Sequence, residues 1–331
     1  MLQLSSPLHH LITLSFVGLK SNVSELFNKT LLSWSQKGSD GLVSDTQEAE
    51  CQLLSSCALC ISSLVKSLKA RCLHLLPQIV KPLVSALKSI NVAFRTGISN
   101  QNLTIFQLAI LRTIATIAEI LPGFLLSHLP LIFSNDALPT TTSQNGAGYE
   151  DNAVVAASKH LEISLATKTP VRQLVPCLSS ALVKTLAQGK ASGFEEACTL
   201  LRVMNIAIEN VAKSDLTPVV GKVFNGLVTT YAHEGDEKST TQLLLGANKC
   251  LLSLVMKLSE AQLRPLYARL REWRGNIDGN KGSSALSSRR YAFWSLSAEL
   301  SKALKSIFFP CLTSVISDVI DELVSRYYED A

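Results

Sequence analysis

A chain of 331 residues exceeds the size at which one compact core usually stops growing, so several domains or one elongated array are expected. Hydrophobic residues make up 47% and charged residues 17%, with a mean hydropathy of +0.25, which excludes an intrinsically disordered chain and favours well-covered elements. The formal charge of +5, from 31 Lys and Arg against 26 Asp and Glu, is by itself weak evidence for an anionic partner.

In chain order, MLQLSSPLHHLITLSF lacks the basic start of a signal peptide, and His9 and His10 break its apolar stretch. Reduced thiols and an intracellular setting are therefore expected for the eight cysteines. LHHLITLSFVGL and VSELFNKTLLSW read as a helical pair without a clear proline. Asp45 can cap the next helix, with Glu48 three residues on as a capping box. That helix, ECQLLSSCALCISSLVKSL, places Leu53, Ser56, Cys57, Cys60, Leu64 and Leu68 at helical spacing, the expected buried face. It leads into ARCLHLLPQIVKPLVSALKSI.

Four further pairs repeat this plan. NLTIFQLAILRTIATIAEI precedes LPGFLLSHLPLIF, and VVAASKHLEISLA precedes VRQLVPCLSSALVKTL. FEEACTLLRVMNIAIENVA then precedes TPVVGKVFNGLVTTYA, and TTQLLLGANKCLLSLVMKLS precedes LRPLYARLREW. A last pair joins SSRRYAFWSLSAELSKALKS to FFPCLTSVISDVIDELVSRYY. The apolar stretch Leu103 to Phe133 is interrupted by Arg112, Glu119, Pro122, His128 and Pro130, so no membrane span is expected there.

Pro77, Pro122, Pro170, Pro218, Pro265 and Pro310 follow one another at steps of 45, 48, 48, 47 and 45 residues. Proline is tolerated in the first turn of a helix and costly in its interior, so each is expected to open the second helix of a pair. The period fits HEAT or armadillo arrays, about 40–47 residues per unit. The expected fold is all-α, an α-solenoid of about six to seven HEAT-like helical hairpins. The division runs 1–133 for HEAT-like repeats, 134–152 for a polar loop insertion and 153–273 for further repeats. A second loop covers 274–284 and terminal capping helices 285–331.

Chemistry-bearing constellations are scarce. Cys57, Cys60, Cys72 and His74 come nearest to a zinc site, but the CxxC sits mid-helix among leucines, and buried structural cysteines are the expected reading. There is no GxSxG elbow, HExxH or phosphate loop, and no histidine lies beside an acid at catalytic spacing. A non-enzyme without cofactor or metal is expected.

From Lys257 to Lys305 ten Lys and Arg face four acids, whereas Asp318 to Asp330 hold five acids against Arg326. On a helix beginning near Leu263, Leu263, Leu266, Tyr267, Leu270 and Trp273 form the apolar face. Arg264, Arg271 and Arg274 lie opposite, flanked by Arg269. Either they are a solvated face, or with Arg289, Arg290, Lys302 and Lys305 they form a ridge that contacts phosphates or acidic proteins. Arg264, Arg271, Arg274, Arg289 and Arg290 are the candidate contact residues.

KLSEAQLRPLYARLREW (Lys257–Trp273) resembles the signature near the C-terminus of the large HEAT-repeat U3 small nucleolar RNA-associated protein 10 family, BAP28-like. RRYAFWSLSAELSKALKSIFFP (Arg289–Pro310) is similar to that family's following helix, and Glu50–Ser89 to its upstream repeats. Leu263 and Tyr267 depart from expected phenylalanines, and Thr229–His233 lacks an expected arginine. Family members are far longer, so the resemblance implies a piece of a larger protein. It also implies a nucleolar, hence nuclear, scaffold of the small-subunit processome acting with U3 small nucleolar RNA in 18S precursor maturation and ribosome biogenesis. Some members support transcription of ribosomal RNA genes. Implied partners are processome proteins, with U3 RNA or pre-rRNA reached through the basic ridge, and no membrane. The alternative is another HEAT scaffold, of the nuclear-transport or phosphatase type.

Overall fold

Helices account for every regular element among the residues that the computed structural model describes, namely 45–95, 101–133, 149–188, 191–233, 237–275, 283–313 and 315–329. The expected helical pair in residues 1–37 lies outside them, as do residues 134–148 and 276–282 of the two polar insertions. The last four residues of the first insertion are helical, since the next helix begins at Tyr149.

Six hairpins follow in order. Helix α1 (Asp45–Leu68) leads to α2 (Leu76–Arg95), and α3 (Gln101–Ile120) to the short α4 (Pro122–Leu125) and α5 (Leu129–Ile132). Helix α6 (Tyr149–Lys168) leads to α7 (Val171–Ala187), and α8 (Ala191–Asn210) to α9 (Lys213–Leu216) and α10 (Val220–Tyr231). Helix α11 (Glu237–Val255) precedes α12 (Glu260–Gly275), and α13 (Ser283–Leu304) precedes α14 (Phe309–Thr313) and α15 (Ile316–Glu329). The first helices stack in sequence, α1 on α3, α3 on α6, α6 on α8, α8 on α11 and α11 on α13. Second helices such as α7 and α10 pack on each other and on the next unit's first helix. One apolar core runs the length of the stack. Neighbour-on-neighbour packing of this kind is the solenoid plan.

Five of the six rhythmic prolines stand where the missing N–H is harmless. Pro77 is the second residue of α2, Pro122 the first of α4, and Pro310 the second of α14. Pro170 directly precedes α7, and Pro218 lies in the 3₁₀ turn before α10. Pro265 differs, for it lies inside α12, which starts at Glu260 rather than near Leu263. The reason is a cap: the Ser259 backbone N–H and hydroxyl both donate to Gln262 Oε1 at 3.1 Å, fixing the first turn one turn earlier.

The period of the sequence returns as the spacing of polar contacts between units. Ser253 Oγ donates to Asn205 Oδ1 at 2.8 Å across 48 residues, and the Cys250 thiol to the Leu201 carbonyl at 3.0 Å across 49. Lys257 Nζ donates to the carbonyls of Glu209 and Val211, closing the end of α8. A Cβ on Gly226 would lie 3.1 Å from Ser179 Oγ, so glycine sets the approach of α10 to α7.

The buried face of α1 is not the expected one. Cys51, Leu54, Ser55, Ala58, Ile61, Ser62 and Val65 are buried, whereas Leu53, Ser56 and Cys60 are exposed and Cys57, Leu64 and Leu68 intermediate. Two apolar phases coexist in this helix, and the small residues decide between them. Thr113 Oγ1 of α3 donates to the Ala58 carbonyl at 2.8 Å, and Ser62 Oγ donates to Thr116 Oγ1 at 3.0 Å. Contacts this close exclude leucine from the seam. The side chain of Asp45, the expected cap, lies outside the described residues.

Two segments, Cys51–Cys72 and Gln101–Ile120, are long and apolar enough to cross a membrane. The second therefore meets the length criterion despite Arg112 and Glu119. It is 72% buried and packs between α1 and α6, which accounts for its hydropathy as that of a core helix.

Candidate interaction surface

The arginine-rich helix α12 starts at the Ser259 cap, and its apolar positions turn as the periodicity requires. Leu263, Tyr267 and Leu270 are buried, and Leu266 and Trp273 pack against the core. Tyr267 is held between rings, 5.7 Å from Phe293 and edge-on to Phe308 at 5.1 Å, while its hydroxyl meets Ser297 Oγ at 3.0 Å. Burial pushes its phenol above the ordinary range. Both aromatics of the segment thus serve packing.

The candidate contact arginines are brought together around the C-terminal helix. Arg271 forks onto Asp318, Nε to Oδ2 at 2.6 Å and Nη2 to Oδ1 at 2.7 Å, and Arg274 Nη2 adds a third bond to Oδ2 at 2.9 Å. Glu322, one turn on, lies 3.8 Å from Arg290 Nε and 4.0 Å from Arg274 Nη1, and accepts the Trp294 indole N–H at 2.8 Å. The Arg271 guanidinium holds the Asp318 carboxyl below its usual range. Arg274 is also stacked, 4.9 Å from the Phe293 ring centre and 5.2 Å from that of Trp294. Its side chain is only 15% exposed, which makes it an anchor rather than part of a solvated face.

The other candidates lie at the rim. Arg264 pairs with Glu260 one turn earlier and remains 61% exposed. Arg289 covers the Trp273 ring at 5.3 Å. Arg269 reaches Asn225 Oδ1 at 3.1 Å and lies over Phe224. Arg264, Arg271, Arg274, Tyr267, Cys311 and Asp318 line a groove of about 830 Å³. Chemically, the region is a charge-compensated seam with a cationic rim.

The acids Asp318 and Glu322 are what sequence reasoning missed. Their signal was the acidic end beside a basic shoulder, but only the fold pairs them across 47 and 44 residues with Arg271 and Arg274. Elsewhere, no group of three His, Cys, Asp or Glu able to hold a metal occurs among the described residues. Cys57 is half-buried and Cys60 exposed on the outer side of α1.

Residues 212–330, which contain this whole surface, match the BP28CT (NUC211) domain family. The chain is 24% identical over 275 residues to U3 small nucleolar RNA-associated protein 10 of Meyerozyma guilliermondii, covering 80% of the chain and 14% of that protein. It is 26% identical over 274 residues to HEAT repeat-containing protein 1 of Danio rerio, and 23% over 273 to that of Homo sapiens; each match covers 81% of the chain and 12% of the relative. The chain thus spans about an eighth of the length of the curated relatives it matches. With the Lys257–Trp273 motif inside the matched domain, the chain is a relative of the large HEAT-repeat U3 small nucleolar RNA-associated proteins and carries the BP28CT (NUC211) domain over residues 212–330.

Proposed function

We propose that the chain is a non-catalytic scaffold in ribosome biogenesis, part of the nucleolar small-subunit processome that matures 18S pre-rRNA. The similarity over four-fifths of the chain to proteins named for association with U3 small nucleolar RNA carries this reading. Its mechanism is surface presentation: stacked hairpins offer long faces to protein subunits, without a membrane. A role in transcription of ribosomal RNA genes belongs to the same proposal. Tagged protein should co-sediment with pre-ribosomal particles containing U3 RNA. Co-purification with a transport GTPase or a phosphatase catalytic subunit instead, away from those particles, would support the other HEAT scaffold classes.

RNA contact is the second element of the proposal, and it runs through the rim. Reversing Arg271 or Arg274 would place an acid against Asp318 and Glu322, so those substitutions test packing as much as binding. The cleaner pair is Arg264→Glu with Arg290→Gln, the two being 61% and 41% exposed. RNA crosslinking should fall in that variant with the helical spectrum unchanged. Each lost phosphate contact should lower the salt dependence of binding by about one unit of slope. Unchanged crosslinking would return these arginines to a solvated face.

A further inference from the structure

Helix α15 is docked with its polar side inward. Val315, Asp318 and Glu322 face the array, the two acids held by Arg271, Arg274, Arg290 and Trp294. The opposite face carries Ile316, Val319, Ile320, Leu323 and Val324, all exposed, Leu323 to 65%. These positions follow i, i+3, i+4, i+7, i+8, the pattern of a buried helix stripe. An amphipathic helix normally turns such a stripe to the core, where each apolar square ångström is worth about 25 cal/mol. Here charged hydrogen bonds hold the helix in place, and the stripe is left to solvent.

We infer that the outer stripe of α15 is a docking surface for a basic amphipathic helix of a partner protein. Charge selects this occupant. The helix carries Asp318, Asp321, Glu322 and Glu329 against Arg326, a formal −3, so a second copy would set two acidic helices side by side. The stripe's nine residues span little more than one heptad, while a self-paired coiled coil needs about three to four. A helix bearing lysines or arginines beside its own apolar stripe meets both demands, burying Leu323 and Ile320 and facing the acids. Recognition of an amphipathic helix through anchors at this spacing is a common docking mode.

This inference goes beyond the scaffold proposal and does not rest on it, since co-sedimentation with pre-ribosomes and helix docking can each fail alone. The test uses the full chain and two labelled synthetic peptides, each two heptads long. Both carry leucine at the stripe positions; one has lysine flanks, the other glutamate. Fluorescence anisotropy should show the lysine peptide binding the wild-type chain at least about tenfold more tightly than the glutamate peptide, a difference of about 1.4 kcal/mol. The exposed double substitution Ile320→Ser/Leu323→Ser should weaken lysine-peptide binding by a similar factor while leaving thermal unfolding in place. Equal binding of both peptides, or binding unaffected by the serines, overturns the inference. So does light scattering that shows a dimer of the chain abolished by the same serines.

Discussion

Arg202 of α8 grips Glu162 of α6 with two parallel hydrogen bonds, Nε to Oε2 at 2.7 Å and Nη2 to Oε1 at 2.9 Å. Glu162 is 1% exposed, so this fork is the sole ion pair printed for a carboxylate sunk within the stacked first helices. Thr199 Oγ1 accepts a further bond from the same guanidinium. Arg202→Ala strands a buried carboxylate and should cost about 3–5 kcal/mol, read as a fall in the urea midpoint. Arg172→Ala removes the exposed pair with Asp215 and should cost no more than about 1 kcal/mol. Similar losses from the two would refute the burial argument.

The seam between α12 and α15 should be acid-sensitive. Hydrogen bonding from Arg271, with the nearby charge of Arg274, lowers the folded-state pKa of Asp318. Its contribution is therefore complete above the ordinary carboxylate pKa and is lost as pH falls through the depressed folded value. The Trp294 indole N–H, bonded to Glu322 beside this seam, reports the change by NMR. Acid titration should shift that resonance in the wild type. In Asp318→Asn it should already be displaced at neutral pH.

Pro265 breaks the backbone bonding of α12 five residues past its start. Its ring offers no N–H to the carbonyl one turn back, and Ala at this position restores that donor. Pro265→Ala should stabilise the chain by about 1–3 kcal/mol, while Ser259→Ala should cost about 1 kcal/mol by removing the cap. Chemical denaturation of the two variants gives both signs.

Lys69 and Lys305 both adopt φ of 50°, each ending a first helix and opening a 3₁₀ turn. A side chain in this left-handed region costs roughly 1–2 kcal/mol that glycine avoids. Lys69→Gly and Lys305→Gly should each raise the melting temperature. A fall in both would show that the lysine side chains hold these turns by other means.

The thiols should divide by burial. Cys250 is pushed up to about 12 and Cys198 to about 11 by desolvation, whereas Cys60 is exposed on α1. Alkylation of the native chain, mapped by mass spectrometry, should modify Cys60 first and reach Cys250 only on unfolding.

Much of the fold was legible because its signals are local. A proline in the first turn acts within one turn of its own residue, so a 45-to-48-residue rhythm announced the hairpins. The inward turn of Tyr267 and Leu270 followed equally from the spacing within α12. The start of α12 was legible too, in Ser259 and Gln262, but the rhythm drew the boundary toward Pro265. For α1 the sequence held two apolar phases, and choosing between them required Thr113 and Thr116 from the next unit.

The sequence by itself determined that the chain is helical, repetitive and related to the large HEAT-repeat proteins, since propensity, capping and motif identity are properties of neighbouring residues. Tertiary structure decided what the arginines of α12 do. Arg271 and Arg274 find Asp318 only after a full repeat folds back, because a charge pair depends on distance in space rather than along the chain. The same folding turned the acids of α15 inward and its Ile, Val and Leu stripe outward, an orientation that helical periodicity alone would have reversed.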